Sequence, residues 1–118
     1  MSEWNTPEAL ATGAMNGPLF ETFVFSEILT SYLHNGKHPS FYFYRDNHQR
    51  EIDLLIAENG MLYPIEIKRT GSPTAEMIRA FESISFPNME KGYGTLICLT
   101  DRPRPLTRHA HAISLWNL

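Results

Sequence analysis

The sequence predicts a single α/β domain built on a mixed sheet, and three observations predict it. Residues 40–69 hold three strand-like runs separated by turn signals, among them an Asn-Gly pair. A helix-like segment follows, and after it "YGTLICLT", apolar on both faces as a central strand reached by a crossover should be. A longer helix-like segment precedes all of these, so the expected order is helix, three strands, helix, strand. With 118 residues, 42% of them hydrophobic and 19% charged, the chain suits one core.

The elements are justified in order. Residues 1–16 are polar, with Pro7 and Gly13, and read as a lead-in or linker remnant, leaving 17–118 as the domain. In "GPLFETFVFSEILTSYLHNG", Pro18 at the first helical position and Gly36 just past the last predict a helix over 18–34. At about 100° per residue, Val24, Phe25, Ile28, Leu29 and Tyr32 gather on one arc while Ser26, Glu27 and Thr30 lie opposite. Glu21 projects into the middle of the apolar arc, and Glu27 is read as a solvated surface acid. "SFYFYRD", "REIDLLIA" and "MLYPIEIKR" are rich in strand-forming side chains and are expected as an antiparallel meander. Ser72 as N-cap, Pro73 behind it and Met77, Ile78, Phe81 and Ile84 at helical spacing predict a helix over 73–85. "DRPRPLTRHAHA" is expected as a proline-broken basic loop, and "ISLWNL" as a last short strand.

Composition narrows the function classes. A net charge of −3 supplies no global basic field, so any phosphate contact must come from a local patch, for which Arg69, Arg102, Arg104 and Arg108 are the candidates. The single cysteine, Cys98, lies in an apolar run and reads as a buried inert thiol, which excludes a disulfide framework and fits a reducing cytoplasm. Apolar stretches fall short of the roughly 18 residues a membrane span needs, and "MSEWNTPEAL" lacks the basic start and apolar middle of a signal peptide. A cytoplasmic protein with no membrane partner is expected. His109 and His111 have no matched acids or cysteines in sequence and make a weak metal pair, while His34, His38 and His48 read as loop residues. The alternating Phe41, Tyr42, Phe43 and Tyr44 are read as strand packing rather than as a platform for stacked bases.

The chemistry concentrates in "EIDLLIAENGMLYPIEIK". Asn59-Gly60 is the strongest short-range signal for a two-residue type I′ turn. With Glu58 facing Met61 across that turn, Asp53 falls opposite Glu66 and Glu51 opposite Lys68. Asp53 and Glu66 would then be a non-hydrogen-bonded pair on one face, with Cβ atoms about 4.5–5.5 Å apart. Directly opposed carboxylates need a shared proton or a cation. A third acid, Glu21, sits where burial demands a partner. Three acids and Lys68, drawn from one helix and two strands, suit a Mg²⁺ or Mn²⁺ site that cleaves phosphodiesters, with Asp53 and Glu66 as ligands and Lys68 positioning the nucleophile. Charge alternation on an exposed face, a solvated salt-bridge ladder, is the alternative that these residues leave open.

Asp53 followed, after a hairpin, by Glu66-Ile67-Lys68 resembles the bipartite motif of the PD-(D/E)XK nuclease superfamily. The proline usual before the first aspartate is Ile52 here. More closely, "GPLFETFVFSEIL", "FYFYRDNHQREIDLLI" and "LYPIEIKRT" resemble the domain that follows an AAA-type ATPase module in many bacterial and archaeal chains, over roughly residues 17–118. The resemblance implies a restriction-endonuclease-like fold and a first-helix glutamate at Glu21. It also implies Mg²⁺- or Mn²⁺-dependent hydrolysis of DNA, and an ATPase module in the same or a neighbouring chain, with homo-oligomerisation left open. No G-x-x-x-x-G-K-[ST] loop occurs in these residues, so the motor itself would lie elsewhere. The alternative is an inactive nuclease fold that serves an ATPase as a nucleic-acid-binding or regulatory module.

Overall fold

The computed structural model describes residues 17–38 and 40–117; the lead-in expected at 1–16 lies outside them. Helix α1 (Gly17–His34) leads into β1 (Ser40–Arg45), β2 (Glu51–Glu58) and β3 (Met61–Ile67). A 3₁₀ turn (Ala75–Ile78) then runs into α2 (Arg79–Ser83). After them come β4 (Glu90–Lys91), β5 (Gly94–Cys98), β6 (Arg104–Thr107), β7 (Ala110–Ser114) and a closing 3₁₀ turn (Leu115–Asn117). The seven strands form one mixed sheet in the order β1-β2-β3-β5-β7-β6, with β4 paired to β3. β1, β2 and β3 are an antiparallel meander, β3, β5 and β7 run parallel, and β6 is antiparallel to β7. The α/β class, the order helix, three strands, helix, strand and the parallel crossover into "YGTLICLT" are as the sequence predicts, whereas β4 is an addition and the last strand runs from Ala110 to Ser114, with Leu115–Asn117 of the expected strand forming a 3₁₀ turn.

Each face of the sheet carries its own core. On one, Phe20, Val24 and Ile28, one turn apart along α1, pack on Leu54, Ile56, Ile65, Ile67 and Ile97. On the other, Ile78, Phe81 and Ile84 pack on Ile52, Leu55, Leu62, Leu96 and Cys98. Cys98 is a buried free thiol, as expected. α1 ends at Gly36, whose φ of 71° lets its N–H reach Leu33 O at 3.0 Å while the Lys37 N–H reaches Tyr32 O at 2.9 Å, a Schellman closure. The β2–β3 turn is the expected one, with φ of 54° at Asn59 and 81° at Gly60.

Four expectations are corrected. The second helix is shorter than 73–85 and opens as a 3₁₀ turn, because its buried residues Ile78, Phe81 and Ile84 recur every third position, a spacing that suits three residues per turn. Ser72 is not its cap: the Ser72 N–H donates to Thr70 Oγ1, and Thr74 precedes the turn without a side-chain cap. At the other end Lys91 Nζ donates to the carbonyls of Phe81 and Ile84 and so closes α2. The basic loop contains β6, which tolerates Pro105 because it is an edge strand with a register shift between Pro105 and Thr107. Finally, Glu21 is exposed rather than set in the middle of the buried stripe, which runs through Phe20, Val24 and Ile28 instead.

The crossover packs tightly against β5. A Cβ added at Gly94 would stand 2.5 Å from the Phe81 ring, closer than side chains approach. Gly94→Ala is expected to lower stability by about 1–3 kcal/mol through that overpacking. Urea unfolding reads it as a lower midpoint at unchanged slope, and an unshifted midpoint would refute the close packing of α2 on β5.

Candidate functional site

The hairpin register holds as expected from Glu58–Met61 to Leu54–Ile65, and there the regular pairing of β2 with β3 ends. The cause lies on the other side of β2. β1 pairs Tyr42 with Leu55 but Tyr44 with Ile52, so the single residue Phe43 faces both Leu54 and Asp53, a β-bulge. Its effect is visible in the packing: Ile52 and Leu54, two apart, should share a face, yet Leu54 belongs to the α1-side core and Ile52 to the α2-side core. Asp53 sits at this switch. Its Oδ2 accepts the Ile67 N–H at 2.9 Å, occupying the place of a ladder carbonyl where the two strands part. The simple same-face pairing expected for Asp53 and Glu66 is therefore corrected to a meeting across the opening between β2 and β3.

The two acids do meet there. Glu66 is 7% exposed, and its carboxyl is pushed up to about 9, first by burial and then by hydrogen bonding to the Asp53 carboxylate and that group's charge. Lys68 and the Asp53 backbone N–H act in the opposite sense. Protonated, Glu66 donates to Asp53, so the pair shares a proton through neutral pH. Glu21 approaches from α1. Partial burial raises its carboxyl above the usual range, Asp53 and Glu51 add to this, and Lys68 opposes it; screening keeps the effect small because Glu21 is exposed. Lys68 is exposed just past β3, its own N–H donating to Ile97 O at 3.0 Å. Asp53 and Lys68 thus lie within electrostatic reach of both Glu21 and Glu66.

Beside them opens a cavity of about 550 Å³ lined by the acids Glu21, Glu51 and Asp53 and by the aromatic residues Phe25, Phe43 and Tyr44. Glu66 and Lys68 are not among its lining residues. Glu51 does not answer Lys68, as the regular register would have it, but pairs with Arg45 at 2.9 Å. Among the described residues no group of three or more His, Cys, Asp and Glu stands ready to hold a metal ion. The Asp53–Glu66 pair nevertheless fits a hard cation by its chemistry, being two facing carboxylates held together by a proton that such a cation would replace.

The four arginines do not form one patch. Strand directions put Arg69, Arg102 and Arg104 at the end of the sheet where β3 finishes, and Arg108, in the β6–β7 turn, at the opposite end. Arg104 is paired with Asp101 at 3.0 Å, a contact that holds the Asp101 carboxyl below its usual range. Among the described residues His109 and His111 belong to no group of three or more metal-ligating side chains; His111 stacks on Tyr93 with ring centres 4.9 Å apart, and burial lowers its basicity. Phe43 and Tyr44, expected as strand packing, also line the cavity, together with Arg45, which the sequence does not single out.

Fold and cleft together define an α/β domain with a paired-carboxylate site at the point where two strands of a mixed sheet diverge. A family model, Domain of unknown function (DUF4143), matches residues 16–118, and the chain belongs to that family. No curated protein and no solved structure matches it. No helix among the described residues is long and apolar enough to cross a membrane.

Proposed function

We propose that the domain hydrolyses DNA phosphodiester bonds with the help of Mg²⁺ or Mn²⁺. Asp53 and Glu66 would hold the ion, Glu21 would serve as the third acid, and Lys68 would assist the nucleophile. The observation that carries this reading is the direct pairing of two carboxylates beside an open cleft, which a proton satisfies in the absence of a cation. The donors are all carboxylate oxygens, the set that magnesium and manganese favour over softer metals. When bound, the cation supplies positive charge to the phosphate and eases deprotonation of water.

The chain's own residues prepare the rest. Ile67 N–H fixes the Asp53 carboxylate at 2.9 Å, so its orientation is set before any ligand arrives. Burial holds Glu66 against it. Lys68 has its charge close enough to oppose protonation of both Glu66 and Glu21, and can orient water or balance charge gathering on the phosphate. The resemblance to domains that follow AAA-type ATPase modules supports a partnership with such a motor, in the same or a neighbouring chain. The lone buried cysteine supports a cytoplasmic setting.

Calorimetric titration with Mn²⁺, followed by nicking of supercoiled plasmid in Mg²⁺ or Mn²⁺, tests the reading. Binding of one or two ions with proton release, together with metal-dependent nicking, is expected; silence in both experiments sinks it. The net charge of −3 favours a second reading, a non-catalytic module that regulates an ATPase. That reading predicts that metal changes neither plasmid form nor protein.

A further inference from the structure

We infer that Phe43 is a stacking platform for an unpaired nucleobase, so that, on the reading of the acids as a phosphodiester-cleaving site, the substrate is a nucleic acid strand unpaired at the point of attack. Phe43 is 75% exposed, more than the other exposed large hydrophobic side chains of the described residues. An aromatic ring left so open costs burial that a partner would recover. Its position is not arbitrary. It is the residue that the β-bulge sets against Asp53 and Leu54 together, and bulges are devices that re-aim a side chain beside a site.

The ring is also held. Phe25 of α1 stacks on it with centres 6.2 Å apart and planes 25° from parallel, and Phe25 is itself braced by Phe41 at 6.0 Å. A ring backed on one face offers its other face as a rigid surface, and stacking on such surfaces tolerates every base. Phe43 shares the cavity wall with Glu21 and Asp53, and about 550 Å³ lies within the roughly 300–1,000 Å³ typical of small-ligand sites, enough for a nucleotide. Arg45, two residues along β1 and 77% exposed in its side chain, stands at the rim where a flanking phosphate could draw it from Glu51. An apolar peptide would bring the ring a partner but nothing for the acids that line the same cavity. A nucleotide brings a π-face for the ring and a phosphate for a cation at the acids. A paired duplex keeps its base faces stacked internally and has none to offer.

Fluorescence anisotropy with labelled oligothymidylate and with a blunt duplex of equal length, in Ca²⁺ so that cleavage does not interfere, tests the inference. Phe43→Ala is expected to weaken the single strand roughly 10-fold or more and to leave duplex binding unchanged. Phe43→Trp should restore single-strand affinity, and its additional indole emission, measured against wild type as blank, should be quenched by the strand. Equal losses on strand and duplex, no loss, or no binding of the strand would each overturn the proposal, as would an unquenched indole. The two readings fail separately. Phe43-dependent strand binding without metal-dependent cleavage defeats the hydrolytic reading alone, and cleavage indifferent to Phe43 and to strandedness defeats this one alone.

Discussion

Asp53→Asn is expected to fold as the wild type does and to lower metal-dependent nicking on the order of 10³-fold. The amide keeps an oxygen for the Ile67 N–H that Asp53 now accepts at 2.9 Å, so the junction of β2 and β3 survives. What disappears is the negative charge facing Glu66. A metal contributes several kcal/mol of charge stabilisation to phosphoryl chemistry, and each ~1.4 kcal/mol is a decade in rate. Asp53→Ala is the less informative variant, because it also leaves a partly buried N–H without its partner, a loss of about 1–3 kcal/mol in stability. Matched thermal melts and plasmid assays on the two variants separate charge from structure. Wild-type nicking by Asp53→Asn would remove Asp53 from the chemistry.

Glu66→Gln is expected to abolish a pH dependence of stability. The Glu66 carboxyl is raised from 4.5 to about 9 by burial first and by Asp53 second, so the folded state holds a proton that the unfolded chain releases. The sign follows from linkage: the stabilisation is complete below about pH 4.5 and is lost as pH rises towards 9. Within that window one retained proton corresponds to a slope of about 1.4 kcal/mol per pH unit. Glutamine imitates the protonated acid and donates to Asp53 at every pH. In metal-free buffer the variant should match wild type near pH 5 and exceed it at pH 8, as read by urea unfolding. Adding Mn²⁺ at pH 8 should stabilise the wild type and leave the variant unmoved, since the ion replaces the proton and the amide offers no second carboxylate. A variant weaker at every pH would instead assign the Glu66 charge to holding the fold together.

Where local chemistry and long-range packing agree, the sequence was readable. Asn59-Gly60 determined the turn and, through it, the neighbourhood of Asp53 and Glu66, because both positions adopt the positive φ that this turn demands. Gly36 marked the end of α1 for a similar reason. The bulge was invisible, since alternation in "REIDLLIA" does not reveal that Phe43 on another strand faces two residues of it. Helical spacing places Glu21 on the buried stripe, whereas the packed face of α1 runs through Phe20, Val24 and Ile28 and leaves Glu21 exposed. β6 was hidden by Pro105, a residue that argues against a strand until the strand is known to lie at the sheet's edge. Ser72 was a plausible cap that lost to Thr70, whose hydroxyl takes the Ser72 N–H. Arg102, Arg104 and Arg108 are close in sequence, yet a hairpin sends Arg108 to the far end of the sheet.

The slip between Leu54 and Ile52 has a consequence for how the chain can vary over time. A regular strand tolerates exchange of residues so long as polarity alternates, and it is indifferent to which of them carries the count. β2 is not: between its pairings with Tyr42 and Tyr44 it keeps one residue more than β1, and Asp53 is one of the two residues that face Phe43 there. Removing a single residue there would straighten the strand and return the aspartate to an ordinary place in it, with every remaining side chain unchanged in kind. The cleft is thus guarded by length rather than by composition. An insertion or deletion in that interval is expected to disturb the cleft that Asp53 lines more than a like-for-like exchange elsewhere in β2.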